Sequence, residues 1–322
     1  MRNNLSSPIP RDHALARPRV MLVVTAALLA AVTATDAQGA RASVAPALPA
    51  ASPATATTYY VSLGDSYAAG YQPLASANAG TDINGFAYQV VGLAAAKGDH
   101  FTLENFACDG ATTDTLLTQR GCSLAPPGPD VVAYSDKTQA AAAEQFISTH
   151  RGQIGLITVS IGGNELLACS AATVVISCAR NAAKLITNNL ATLLPALRSA
   201  AGASVPIVGT TYPDVFLGLY RSKVPSQKKL AILSIQEFRS IFNPALRSSY
   251  LAVGARFVDV TAATGAYTPL SQTTADPPFE NIPVAVADVC RLTFYCQLQD
   301  VHPKKAGYAV IARLIVGTLK SS

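Results

Sequence analysis

The sequence predicts an α/β protein, a three-layer α/β/α sandwich around a flavodoxin-like parallel sheet of about five strands. Three observations carry this expectation. Strand-length runs rich in Val, Ile, Thr, Tyr and Phe occur at residues 59–63, 102–106, 154–161, 205–210 and 256–260. Longer segments with apolar residues at helical spacing, 86–97, 137–150, 179–197, 226–254 and 304–319, alternate with them. Gly98, Gly152, Gly202 and Gly254 stand where four of those helices should stop. Runs that are apolar on both faces suit strands covered by helices on two sides, and strand–helix alternation implies right-handed crossovers to parallel neighbours.

Taken in chain order, the first 42 residues read as a secretory signal. Arg2, Arg11, Arg17 and Arg19 precede an uncharged, mostly apolar run at 20–35, which small residues such as Ala37, Gly39, Ala40 and Ala42 follow. The run is shorter than the roughly 20 apolar residues that a membrane-spanning helix needs. Residues 43–58 are almost entirely Ala, Pro, Ser, Thr and Val, a composition that gives a core little to bury and predicts a flexible linker. A single domain is expected over 59–322. Two stretches within it break the alternation: 120–136, and 261–289 with Pro269, Pro277, Pro278 and Pro283. Long irregular connections of this kind are usually functional walls or lids, or else disordered.

The formal charge of +5 overstates the basic character of the domain, because five arginines against Asp12 and Asp36 up to Arg41 account for +3 of it. With only the pairs Lys228-Lys229 and Lys304-Lys305 beyond, nothing points to nucleic acid. Six cysteines, Cys108, Cys122, Cys169, Cys178, Cys290 and Cys296, all follow the export signal. An even count in an exported chain predicts disulfides, and 108/122, 169/178, 290/296 is the simplest of the 15 connectivities. No C-x-x-C pair exists and the chain has four histidines, so no metal is expected.

The residue types that carry chemistry occur at strand ends. Ser66 follows the first strand and Gly64-Asp65, at the carboxyl edge where α/β folds place ligands. A Ser hydroxyl needs a base within hydrogen-bond reach to act as a nucleophile. His302 is the candidate, in a polar turn before the last helix, since His100 and His150 sit at element margins. Asn164, in Gly162-Gly163-Asn164 after an apolar strand, offers a side-chain amide, and Gly110 offers a backbone N–H that no side chain shields. Both would serve a developing oxyanion. The alternative Ser-hydrolase frame G-x-S-x-G fails, because Gly64 is followed by Ala68 in the last position.

These residues, in this order, resemble the SGNH hydrolases, also called GDSL esterases and lipases, over about residues 59–319, and most closely their secreted, disulfide-bonded actinobacterial members. Gly64-Asp65-Ser66-Tyr67 and Val301-His302-Pro303 carry the likeness. The resemblance casts Ser66 as nucleophile and oxyanion donor, Gly110 and Asn164 as further oxyanion donors and His302 as base. Two positions depart from the family pattern. Tyr67 replaces a Leu, and Gln299 stands where an Asp is usual, with Asp300 one residue later. Either Asp300 or a backbone carbonyl near Gln299 would then orient the imidazole.

The expected function is an extracellular serine carboxylic-ester hydrolase, working as a monomer without cofactor on a small-molecule or lipid ester, with transient contact at a lipid interface. The Pro-rich 261–289 stretch, carrying Tyr267 and Phe279, is expected to wall an acyl site. The alternatives are a non-catalytic exported lipid- or wall-binding protein on the same scaffold, or an esterase for acetylated sugars or phospholipids.

Overall fold

The computed structural model describes residues 57–73, 80–81, 83–122 and 130–319. The expected signal segment 1–42 and all but the last two residues of the linker 43–58 lie outside them.

Among the described residues seven strands, β1 (Tyr59–Gly64), β2 (Tyr71–Gln72), β3 (Gly80–Thr81), β4 (Thr102–Asn105), β5 (Ile154–Ser160), β6 (Ile207–Thr210) and β7 (Arg256–Val258), form two sheets. The main sheet has the order β4-β1-β5-β6-β7 and every pairing in it is parallel. The chain thus starts near the centre, steps once to one edge and then winds to the other, which is the flavodoxin-like order. Val61, Leu63, Leu156, Ile157, Val159, Ile207 and Val208 are all fully buried, as strands covered on both faces must be. β2 and β3 form a separate two-residue antiparallel ribbon.

Among the described residues there are twelve α-helices: α1 (Ser66–Ala69), α2 (Phe86–Ala95), α3 (Thr113–Thr118), α4 (Gln139–Thr149), α5 (Gly163–Ala168), α6 (Val175–Ala201), α7 (Pro225–Glu237), α8 (Asn243–Leu251), α9 (Val260–Ala263), α10 (Val284–Leu292), α11 (Tyr295–Leu298) and α12 (Lys305–Thr318). α2 packs with α12 in one layer, and α6 packs against α4 and α8 in the other. In α6 the buried residues Ala179, Ala183, Ile186, Leu190, Leu193, Leu197 and Ala201 recur every three or four positions, forming the stripe that an amphipathic helix lays on a sheet. Its end is set by Gly202, whose N–H bonds the Arg198 carbonyl. Thr138 caps α4 by accepting from the Ala141 N–H, and Thr112 with Thr115 closes a reciprocal capping box on α3.

Two expectations are corrected. The helical pattern at 226–254 is not one α-helix. It is α7 and α8 joined by a wide π turn at Phe238–Phe242, which Pro244 explains, because proline has no N–H to continue the ladder and is tolerated only in a first turn. The 261–289 stretch is not irregular throughout, since α10 begins within it after Pro283. Ala285, Val286, Ala287, Val289 and Cys290 are buried while Asp288 and Arg291 pair on the more exposed face, so α10 is amphipathic, a short pattern that the four prolines before it obscure. With Leu217 and Ala266, the side chains of Ala285, Val286, Val289 and Cys290 form a satellite core, separate from the main one.

All six cysteines pair as nearest neighbours: Cys108–Cys122, Cys169–Cys178 and Cys290–Cys296. The first closes a loop with a sequence separation of 14, a length that stabilises by about 3 kcal/mol through lost unfolded-state entropy. The third ties α10 to α11 and so braces the chain that leads into His302.

Candidate active site

The site begins at the end of β1. Gly64 has φ +141°, and a Cβ there would lie 1.9 Å from the Ser160 carbonyl oxygen, so only glycine lets β1 close on β5 at this point. Its backbone is held from the side by Gln139, whose Oε1 accepts from Gly64 N at 2.7 Å and whose Nε2 donates to Gly64 O at 3.0 Å. Asp65 then caps α1 by accepting from the Tyr67 N–H at 3.0 Å, and Ser66 becomes the first residue of a helix one turn long. Asp65 is fully enclosed. Burial pushes its carboxyl up to about 7 against the pull of the Tyr212 hydroxyl, which donates to Oδ2 at 2.6 Å.

His302 arrives from the other end of the chain. Gln299 adopts the left-handed conformation at φ 57° and ends α11, so the chain reverses and Asp300 turns back on His302. Asp300 Oδ1 accepts from the His302 backbone N–H at 2.9 Å and lies 2.8 Å from Nδ1. His302 Nε2 lies 2.8 Å from Ser66 Oγ. Burial would raise the Asp300 carboxyl, yet the two hydrogen bonds from His302 and the charge of the imidazole outweigh it and hold the group below its ordinary range. An ionised carboxylate only accepts, so the proton sits on Nδ1 and leaves Nε2 to accept from the serine hydroxyl. The Asp300 carboxylate, not a carbonyl near Gln299, faces the imidazole.

Aromatic packing fixes the ring further. Tyr71, half-buried, lies with its ring centroid 4.4 Å from that of His302. Tyr67 donates to the Val301 carbonyl at 2.6 Å, and Gln72 donates to the Pro303 carbonyl at 3.1 Å, so the residues on both sides of His302 are tied to the α1–β2 segment. Tyr67, the departure from the family pattern, therefore has a structural task here.

Asn164 lies in the first turn of α5 and lines the same cleft as Ser66. One of its amide hydrogens is donated to Ala111 O at 2.8 Å, which orients the group and leaves the other hydrogen available. Glu165 accepts from both the N–H and the hydroxyl of Thr113 at 2.6 Å, clamping α5 to α3. Gly110, with φ +70°, precedes Ala111 in the same clamp. Among the described residues neither the Ser66 N–H nor the Gly110 N–H has a hydrogen-bond partner.

The cleft beside Ser66 is open to solvent on one side, and Leu167, Tyr212, Pro213, Val215, Phe216 and Phe238 give it an apolar wall. This corrects the expectation for Tyr267 and Phe279. Tyr267 lies under the Arg239 guanidinium and bonds Asn243, and Phe279 packs in the satellite core between Arg221 and Arg291. Sequence reasoning missed the true wall, since Leu167, Phe216 and Phe238 come from three distant segments and look like ordinary core residues.

Within that wall Asp214 is fully buried, and burial pushes its carboxyl up to about 7 despite the hydroxyl of Ser234, which donates at 2.8 Å. A carboxyl raised in the fold stabilises most below its unfolded value, and that contribution is lost as pH rises from about 4 through about 7. Asp214→Asn should therefore raise stability at pH 8 relative to pH 5, by on the order of 1–4 kcal/mol. Urea unfolding at the two pH values measures this, and a variant weakened equally at both would refute it.

Comparison with known proteins bears on the whole domain. The model of the GDSL-like Lipase/Acylhydrolase family matches residues 62–310. Among solved structures, lipase Lip_vut3 from a goat rumen metagenome is 16% identical with a TM-score of 0.50, over 83% of this chain and 100% of that one. An extracellular lipase from Streptomyces rimosus is 17% identical with a TM-score of 0.46, over 80% and 100% of the two chains. A phospholipase A1 from Streptomyces albidoflavus is 17% identical with a TM-score of 0.47, over 81% and 98%. A comparison with curated protein sequences finds no match. The family match spans β1 to α12 and includes Ser66, Gly110, Asn164 and His302, so this chain belongs to the GDSL-like lipase/acylhydrolase family.

Proposed function

We propose that the protein is an exported serine carboxylic-ester hydrolase that works through an acyl-enzyme on Ser66. The observation that carries this reading is the continuous chain Asp300–His302–Ser66, with 2.8 Å at each step, opening on an apolar cleft. His302 Nε2 takes the Ser66 proton as Oγ attacks the ester carbonyl, and Asp300 stabilises the imidazolium that forms. The oxyanion is received by the N–H groups of Ser66 and Gly110 and by the free amide hydrogen of Asn164. His302 then protonates the departing alcohol, and water, deprotonated by the same nitrogen, releases the acid. The signal-like leader and the three disulfides support export.

Asn164→Ala should lower kcat by about 10²–10³-fold, the worth of one oxyanion donor. A change of less than about threefold in single-turnover acylation would remove Asn164 from the oxyanion site. The apolar wall suits an acyl chain, so rates on p-nitrophenyl esters should rise from C2 to C4 and C8. Activity confined to C2 would contradict an acyl-chain site there.

A further inference from the structure

Charge is distributed unevenly along the domain, and its basic part adjoins the cleft. Residues 166–258 carry ten Lys and Arg against two acids, Asp214 and Glu237, and both acids are buried. Residues 59–165 carry ten acids against four Lys and Arg. Segregation of this kind sets up a local positive potential although the domain as a whole is close to neutral.

The basic part shows its cations openly on α7. Ala231, Ser234 and Glu237 turn inward, where the Ser234 hydroxyl donates to Asp214. At helical spacing the opposite face consists of Pro225, Lys228, Lys229, Ile232 and Gln236, all exposed. Val224, at the helix entry, and Ile232 are 49% and 47% exposed, and exposed Lys223 stands beside Val224. Among the described residues no acid forms an ion pair with Lys223, Lys228 or Lys229. Lys228 Nζ lies 4.2 Å from the Tyr220 ring centroid, a contact that keeps its charge.

A soluble polyanion would use the cations alone and gain nothing from Val224 and Ile232. Lysines interleaved with exposed aliphatic side chains on one helix face suit an interface, where the cations meet anionic headgroups and the apolar groups enter the acyl boundary. Position adds to this. Val215 and Phe216 open the 3₁₀ segment that leads to α7, Phe238 follows α7 directly, and all three line the cleft beside Ser66. The stretch of chain that bears the lysines therefore also builds the apolar wall, within the roughly 20 Å length of α7.

We infer that α7, with Lys223 and Val224 at its entry, docks the protein on a lipid surface with anionic headgroups. The inference rests on the esterase reading for its purpose, which is to bring the cleft to esters held in that surface. The docking itself needs no turnover.

The test is co-sedimentation of Ser66→Ala protein with vesicles of phosphatidylcholine alone and of equal parts phosphatidylcholine and phosphatidylglycerol, at low ionic strength. Binding should be at least about tenfold tighter to the anionic vesicles and should weaken as salt is raised. Lys223→Gln, Lys228→Gln and Lys229→Gln combined should weaken that binding by about tenfold or more. Val224→Ser with Ile232→Ser, which leaves every charge in place, should weaken it by about fivefold or more. Equal binding to the two vesicles, or a triple Gln variant that binds like its parent, overturns the inference. Undiminished binding by the double Ser variant overturns the lipid assignment and leaves a site for soluble polyanions. In protein with Ser66 intact, the triple Gln change should spare turnover of soluble p-nitrophenyl butyrate and slow hydrolysis of an ester dispersed in anionic vesicles. Charge-dependent vesicle binding without hydrolysis of either ester would sink the esterase reading alone.

Discussion

Replacing Ser66 by Ala is expected to lower kcat on an acyl ester by about 10⁴–10⁶-fold, because it removes the atom that forms the acyl-enzyme and leaves only oxyanion donors and binding to act on water. The fold should not notice. Ser66 Oγ makes its hydrogen bond to His302 alone among the described residues, and the turn around it is held by Gly64, Asp65 and Gln139. The thermal midpoint of Ser66→Ala should therefore stay close to wild type while burst and steady-state turnover both vanish. Undiminished turnover by purified Ser66→Ala would mean that another group carries the chemistry.

Asp300→Asn is expected to cost about 10²–10⁴-fold in kcat, since an amide beside Nδ1 no longer enforces the tautomer that leaves Nε2 basic. Asp300 itself should stay ionised from about pH 5 to 8, so the loss should be present at both ends of that range. The Asp300 carboxyl is held below its ordinary range, and a depressed carboxyl keeps its contribution above the unfolded value, losing it only as pH falls through the folded one. Rates for the two proteins at pH 5 and 8 check both points. A near wild-type Asp300→Asn would instead describe a Ser–His dyad oriented by the backbone.

Those two residues also show how far the chain could be read without coordinates. Ser66, Gly110, Asn164 and His302 each follow a strand or precede a helix, positions that periodicity and glycine placement locate well. The five strands of the main sheet are legible for the same reason, as each is a short, bounded, apolar run. The disulfide pairing is legible because each partner is its nearest neighbour along the sequence.

What was not legible depends on local backbone geometry or on distant packing. The choice between Asp300 and a carbonyl near Gln299 turns on one left-handed residue, and no periodic pattern encodes it. The π turn at Phe238–Phe242 needs the registration of Pro244 against the preceding turn, and the nine-residue α10 follows a stretch whose four prolines obscure its period. The apolar wall of the cleft is harder still, because Leu167, Phe216 and Phe238 lie in three separate segments and meet only in three dimensions. A prominent Pro-rich stretch with two aromatics was the more visible candidate, and its side chains serve a second core instead.

The most direct test of the proposed chemistry is reaction of the oxidised, folded protein with a fluorophosphonate, read by intact mass and by peptide mapping. One adduct per chain, on the peptide containing Ser66 and absent from His302→Ala, is the result this account predicts. No adduct, or an adduct on another serine, would contradict it.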